Sequence, residues 1–419
     1  MKNILIISEI EDYMNANHSH YSFSKGFNFG YGLSIIEGNH IFYYTVGKSE
    51  TIKNIQLVND LYIDDKFIED LNVIILIRET NLIEVFDLPF MKKILENKKL
   101  RASKKIFIKC DSLSWMNNKE YAKKYGKRTH FLNYILWVFN GICCQTDMLK
   151  NEGINLLKPL CKSTTLKLLT QKIIISRMGV PNQNPLLEST ENPYSVNHDY
   201  CVNDIKYLGP NKALFPCVIN ENFNKEKIKI IYMGRVRFDD GRIFYFMRDL
   251  VKLLGDDYEL HIFPGRFNIP GNSEIFSPKN GNSLLLLRDT IFNESTNVII
   301  HYPFGDNDKQ KYLEHIDLGI DFSQGRPYDK VIAAGNAKLL EYCYYGVKVV
   351  GEKNINNSYL VENAKNGILL QGIASVEKYA DSIKELHNRQ IDKNLAILTT
   401  IENHNWELIA REFYYDNIV

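Results

Sequence analysis

The stretch best equipped for chemistry runs Asn336-Ala337-Lys338-Leu339-Leu340-Glu341-Tyr342-Cys343-Tyr344-Tyr345-Gly346-Val347-Lys348-Val349-Val350. Gly335-Asn336 makes a good helix start, and Gly346 a good stop before an apolar strand. Lys338 and Glu341 stand three apart, so they share one face of this short helix. A helix N-terminus offers free N–H groups and partial positive charge, a natural seat for phosphate. Lys338 would add a full charge there. Glu341 cannot help phosphate, but a carboxylate one turn further in suits the hydroxyls of a ribose. On the helix alone, the same two residues equally describe a surface ion pair.

Three further groups carry chemical interest. Asp111 ends an apolar strand at 105–110, where a carboxylate can take the proton from a hydroxyl; Asp111-Ser112-Leu113-Ser114 is equally a helix N-cap. Residues 9–30 read as a long polar and aromatic loop carrying His18, His20 and Lys25, suited to acceptor or sugar contact or simply solvated. Asp306-Asn307-Asp308 is the one literal DxD near a strand end; it reads first as a helix start, so no metal site is assigned.

These groups need elements to hold them. Short apolar runs at 4–7, 41–46, 73–77, 105–109, 142–145 and 172–176 have the texture of parallel strands covered on both faces. Helices are expected at 89–97 and 133–139 between them. After a Pro- and Asn-rich stretch the rhythm restarts, with strands at 229–233, 259–263, 298–301, 318–322 and 347–350. Helices are expected at 242–254, 309–315, 337–345 and 375–386. The fold class is α/β, two Rossmann-like doubly wound domains facing a central cleft, where such sheets bind ligands. Expected boundaries are 1–180, a linker at 181–227, a second domain at 228–400 and a terminal helix at 401–419. That helix carries Trp406, Ile409, Ala410 and Phe413 at helical spacing.

Composition narrows the function. The 419 residues are 45% hydrophobic and 24% charged, as in globular proteins, with a net charge of +1. A neutral chain has no global field to gather polyanions, so nucleic acid would need local patches such as 92–101 or 119–128. Seven cysteines without a CxxC pair argue against a zinc or disulfide framework and for reduced thiols. No run reaches the ~18 apolar residues of a membrane span. The expectation is a soluble cytoplasmic protein without membrane insertion.

The 336–350 stretch resembles the donor-binding helix of GT-B glycosyltransferases, especially family-4-like enzymes. Other segments resemble that family in the same order: Ile231-Tyr232-Met233-Gly234-Arg235-Val236, Leu260-His261-Ile262-Phe263-Pro264-Gly265, Asn297-Val298-Ile299-Ile300-His301-Tyr302, the run from Tyr312 to Ser323, and 360–370. The likeness covers about residues 228–372. It implies donor binding by Gly234, Arg235, Gly265, Tyr302, Asn336, Ala337, Lys338 and Glu341. Arg235 would pair with the diphosphate, and Arg242 would stand where the family has a lysine. The amides of Asn336 and Ala337 would join Lys338 on phosphate, and Glu341 would hold the ribose. Arg326 would touch the sugar. Retaining members carry a glutamate where this chain has Ala333. Asp111 lies where GT-B enzymes often place a catalytic His or Asp, and the terminal helix would cross back to the first domain.

The implied activity is transfer of a sugar from a nucleoside-diphosphate sugar, with no other cofactor and no metal, to an acceptor hydroxyl. The acceptor would be a glycan, or a modified DNA base in a phage or viral setting. A nucleotide-sugar epimerase of the same fold and a non-catalytic two-domain ligand-binding protein are the alternatives.

Overall fold

The computed structural model describes residues 2–8, 20–46, 49–77, 82–110, 113–117, 119–182, 226–234, 241–264, 292, 295, 297–300, 312–322, 337–353, 355–372 and 374–419. Of residues 20–24, 114, 119, 120, 122, 234, 241–243, 264, 300, 355 and 356 only the backbone is described.

Two sheets organise the chain. The first has eight strands in the order β3-β4-β2-β1-β5-β6-β7-β8. Its strands are β1 Lys2–Ile7, β2 Asn39–Tyr44, β3 Thr51–Ile52, β4 Ile55–Val58, β5 Val73–Ile77, β6 Lys105–Lys109, β7 Gly141–Cys144 and β8 Ile173–Ile175. All pairs are parallel except the β3–β4 hairpin. Alternate residues feed opposite cores: Leu5, Ile7, Ile74 and Leu76 pack in one layer, Ile4, Ile6, Val73 and Ile75 in the other. Helices cover both faces, which is why a central strand such as β5 reads as an unbroken apolar run.

The second sheet has six strands in the order β11-β10-β9-β12-β13-β14. They are β9 Ile228–Gly234, β10 Tyr258–Pro264, β11 Val298–Ile300, β12 Leu318–Ile320, β13 Lys348–Glu352 and β14 Gly367–Leu370. Every pair is parallel. Renumbered from β9, the order is 3-2-1-4-5-6, that of a dinucleotide-binding sheet, and strand order reverses between β9 and β12.

One expectation needs correction, and one element was not expected. The loop reading of 9–30 fails at its second half, because His20–Ser34 is a helix. Its aromatics and three glycines depress helix propensity, so only tertiary packing reveals it. A Cβ on Gly30 would lie 2.7 Å from Ile6 Cδ1, and one on Gly32 2.7 Å from the Trp406 carbonyl oxygen. The glycines are there for close approach. The β3–β4 hairpin is also absent from the sequence reading. Its turn residues Lys53 and Asn54 both hold positive φ, at 46° and 66°, the geometry of a type I′ turn without the glycine that signals one.

The last helix, Trp406–Asn417, belongs to the core of the first sheet. Phe413 meets Phe29 and Phe107 edge-on, with ring centroids 5.4 and 5.1 Å apart. The chain leaving β8 runs the other way: Met178 and Val180 are buried in a cluster of the second sheet, and Val180 exchanges backbone hydrogen bonds with His404 and Trp406. Arg177 binds Glu412 through both carboxylate oxygens at 2.9 Å and reaches the Tyr359 hydroxyl at 3.3 Å. Among the described residues no helix is long and apolar enough to cross a membrane.

Candidate functional site

The helix Ala337–Tyr344 is set by its buried face, which carries Leu339, Leu340, Tyr342, Cys343 and Tyr344. Gly346 takes φ +65°. Its N–H bonds to the Cys343 carbonyl and that of Val347 to the Tyr342 carbonyl, a complete Schellman stop. Tyr342 fixes the helix to the sheet: its hydroxyl accepts the Met233 N–H at 3.0 Å and donates to the Ile231 carbonyl at 3.3 Å. Gly319 of β12 leaves room for this ring, since a Cβ there would lie 2.5 Å from Tyr342 Cδ2.

Lys338 does not rest on the helix surface. Its ammonium donates to Asp321 Oδ1 at 2.8 Å and lies 4.7 Å above the Tyr232 ring. Asp321 follows directly on β12 and its side chain is fully buried, whereas Lys338 keeps 16% of its own exposed. Tyr232 belongs to β9. The three residues therefore straddle the point where strand order reverses, at the carboxyl ends of the two central strands. The backbone beneath is held independently: the Asp321 N–H donates to the Val350 carbonyl at 3.0 Å, and its carbonyl accepts the Tyr379 hydroxyl at 2.9 Å. Phe322 stacks on Tyr232 with centroids 5.9 Å apart and meets Tyr379 at 5.1 Å. Burial raises the Tyr342 and Tyr379 hydroxyls far above the ordinary phenol value, keeping both as neutral hydrogen-bonding groups.

Glu341 is half-buried, one turn further along the same helix. The carboxylate that Lys338 meets is that of Asp321, which spacing alone could not bring forward because it stands 17 residues away in sequence. A charged residue ending an apolar strand is the signal that could have found it.

Of the other expected donor residues, Ala337 opens the helix, Gly234 is the final residue of β9 and Arg242 is the second residue of the helix Gly241–Leu254. Arg235, Gly265, Tyr302, Asn336 and Arg326 lie outside the described residues, as do Asp111, His18 and the Asp306-Asn307-Asp308 segment. His20 opens the first helix and is described in its backbone alone. Among the described residues no group of three His, Cys, Asp or Glu side chains gathers as metal ligands would.

The first sheet also buries polar groups at its carboxyl edge. Ser8, Thr45, Lys109, Gln145 and Ser176 follow or end β1, β2, β6, β7 and β8, and all are buried. The Lys109 ammonium donates to the Ser176 carbonyl at 2.9 Å, to the Ser176 hydroxyl, and to the Arg177 carbonyl at 3.2 Å, over the Phe29 ring. It ties the end of β6 to the chain leaving β8. The basic stretches are less basic than they read. Lys92 and Lys124 both meet Asp87, at 3.5 and 2.7 Å, and Lys93 pairs with Asp65. Arg101 is buried against the carbonyls of Lys104, Trp137 and Val138.

No protein-family model matches the sequence, and no curated protein matches it. Solved structures do match over the whole length. Sucrose-phosphate synthase from Thermosynechococcus elongatus superposes with a TM-score of 0.56 at 12% identity, covering 100% of this chain and 99% of that one. HepE from Anabaena, in complex with UDP and glucose, gives 0.56 at 9% identity, covering 99% of each chain. The trehalose-6-phosphate synthase OtsA gives 0.59 at 10% identity, with 100% and 99% covered. This chain has the GT-B fold. In GT-B terms, β9–β14 form the second lobe, and the Asp321–Lys338 pair lies at the strand-order reversal of that lobe.

Proposed function

We propose that this chain is a glycosyltransferase, moving a hexosyl or pentosyl group from a nucleoside-diphosphate sugar to an acceptor hydroxyl. The observation that carries the reading is the group Lys338, Asp321 and Tyr232 at the strand-order reversal of a nucleotide-binding sheet, with Glu341 one turn along. A lysine ammonium at a helix start is chemistry for phosphate, and a half-buried carboxylate beside it is chemistry for a ribose diol. The likeness of fold to HepE, a structure holding UDP and glucose, agrees with such a donor.

In this reading the second lobe takes the donor and the first the acceptor. The acceptor oxygen bonds to the anomeric carbon, the bond from that carbon to the diphosphate breaks, and the nucleoside diphosphate leaves with its charge met by Lys338 and the helix N-terminus. Asp111, following Cys110 at the end of β6, is the proposed base that takes the acceptor proton. Gly234, Arg235, Arg242, Gly265, Tyr302, Asn336 and Ala337 complete the proposed donor contacts, and His18, His20 and Arg326 the proposed sugar or acceptor contacts. No cofactor beyond the donor is required. A glycan acceptor is favoured over DNA, because the lysines of the two basic stretches are partly neutralised by Asp87 and Asp65 and Arg101 is buried.

The test is a binding and hydrolysis screen of uridine, guanosine and adenosine diphosphate sugars on the full chain. One donor should bind and be consumed with release of its nucleoside diphosphate. Failure of every donor to bind would overturn the reading.

A further inference from the structure

Asp321 is an expensive residue for its place. A fully buried carboxylate must be paired and hydrogen-bonded to be tolerated, and an apolar residue commonly fills such a position at lower cost. Nor does the backbone need it, since both main-chain groups of Asp321 already have partners in Val350 and Tyr379. The side chain grips Lys338.

The geometry of that grip has a direction. The anion lies beneath, with no exposure, and the cation lies above, with 16% of its side chain exposed. A buried pair arranged this way is a small dipole with its positive end outward, so an approaching anion meets the ammonium first. The Tyr232 face 4.7 Å from the ammonium restricts it further. A lysine side chain ordinarily samples many rotamers, and ordering it at the moment of binding weakens affinity. Here Asp321 and Tyr232 have ordered it beforehand.

We propose that Asp321 is a positioning residue for the donor diphosphate: it holds the Lys338 ammonium at the strand-order reversal, ready for the phosphate oxygens, and does not itself touch the donor. This rests on the reading of the site as a nucleoside-diphosphate-sugar pocket. Tyr232 completes the mount from below.

The experiment uses the full chain and four variants, Asp321→Asn, Lys338→Met, Lys338→Arg and the double variant Asp321→Asn/Lys338→Met. Calorimetric affinities are measured for the nucleoside diphosphate that binds wild type best and for its parent nucleoside, after circular dichroism has verified folding. Asp321→Asn should weaken the diphosphate roughly tenfold, the worth of one charge-assisted contact, and leave the nucleoside unchanged. The double variant should bind no more weakly than Lys338→Met, because Asp321 acts through Lys338. Lys338→Arg should retain part of the affinity.

Three outcomes overturn the proposal: Asp321→Asn binding the diphosphate as tightly as wild type, or more tightly, or losing nucleoside and diphosphate affinity equally. If Lys338→Met does not fold, the diphosphate-to-nucleoside ratio of Asp321→Asn decides alone. Wild type binding no nucleoside diphosphate overturns the pocket reading and this proposal together, whereas wild type binding with unaltered Asp321→Asn overturns only the role of Asp321.

Discussion

The Tyr342 hydroxyl accepts the Met233 N–H at 3.0 Å, a bond from the middle of one helix to the carboxyl end of the central strand. On the β12 side the pairing of β9 stops at Ile231, and there a side chain supplies the acceptor. Tyr342→Phe leaves that buried N–H without one. It should lower unfolding free energy by about 1–3 kcal/mol, read from urea denaturation. Unchanged stability would mean that water replaces the hydroxyl.

In the proposed site Glu341 would hold the ribose. Wild type should therefore prefer a ribonucleoside diphosphate to its 2′-deoxy counterpart, and Glu341→Ala should lose affinity about tenfold and lose that preference. Paired titrations with the two nucleotides check this. A variant that still discriminates would remove Glu341 from the ribose site.

Lys338 and a helix terminus provide the positive charge proposed for the leaving diphosphate. Transfer should then continue when divalent ions are removed with EDTA, followed by release of nucleoside diphosphate. Activity lost to EDTA and restored by magnesium or manganese would contradict this.

Gly32 lies where two helices cross, with no room for a Cβ beside the Trp406 carbonyl and Ala410. Gly32→Val should destabilise by about 1–3 kcal/mol through overpacking, and Trp406→Ala by about 3–5 kcal/mol through loss of a buried indole. Thermal melts of both variants give the measure.

His404 gives the fold a pH dependence. Burial, with a smaller effect from Arg177 and opposition from the Met178 backbone, lowers its pKa from 6.5 to about 4. The folded form keeps the ring neutral while the unfolded chain takes up a proton below pH 6.5. This contribution is full at neutral pH and is lost as pH falls towards 4. Between pH 7.5 and pH 5 the loss attributable to this ring should be about 2 kcal/mol. Comparing urea denaturation of wild type and His404→Gln at the two pH values isolates it.

The strands were legible because both faces of each sheet are covered, so 73–77 is wholly apolar and 105–109 has an apolar centre between two lysines. The Ala337–Tyr344 helix was legible because Gly346 terminates it in a way local chemistry dictates. The helix His20–Ser34 was hidden by its own glycines, which serve contacts with Ile6 and Trp406 that no local window contains. The site was half legible. Lys338 and Glu341 stand out by spacing as candidates, but the residue that Lys338 grips follows β12, 17 positions earlier, and only the fold brings Asp321 to it.

Because Phe413 and Trp406 complete the packing around Phe29 and Phe107, the first lobe lacks part of its interior until residues 406–417 have been made. A nascent chain still on the ribosome would carry β1–β8 with an uncovered greasy flank, while the other lobe is yet to be translated. Folding of the two halves is thereby stitched together in time, and a chain cut short before residue 406 would be recognised by chaperones and proteases as unfinished at its front end.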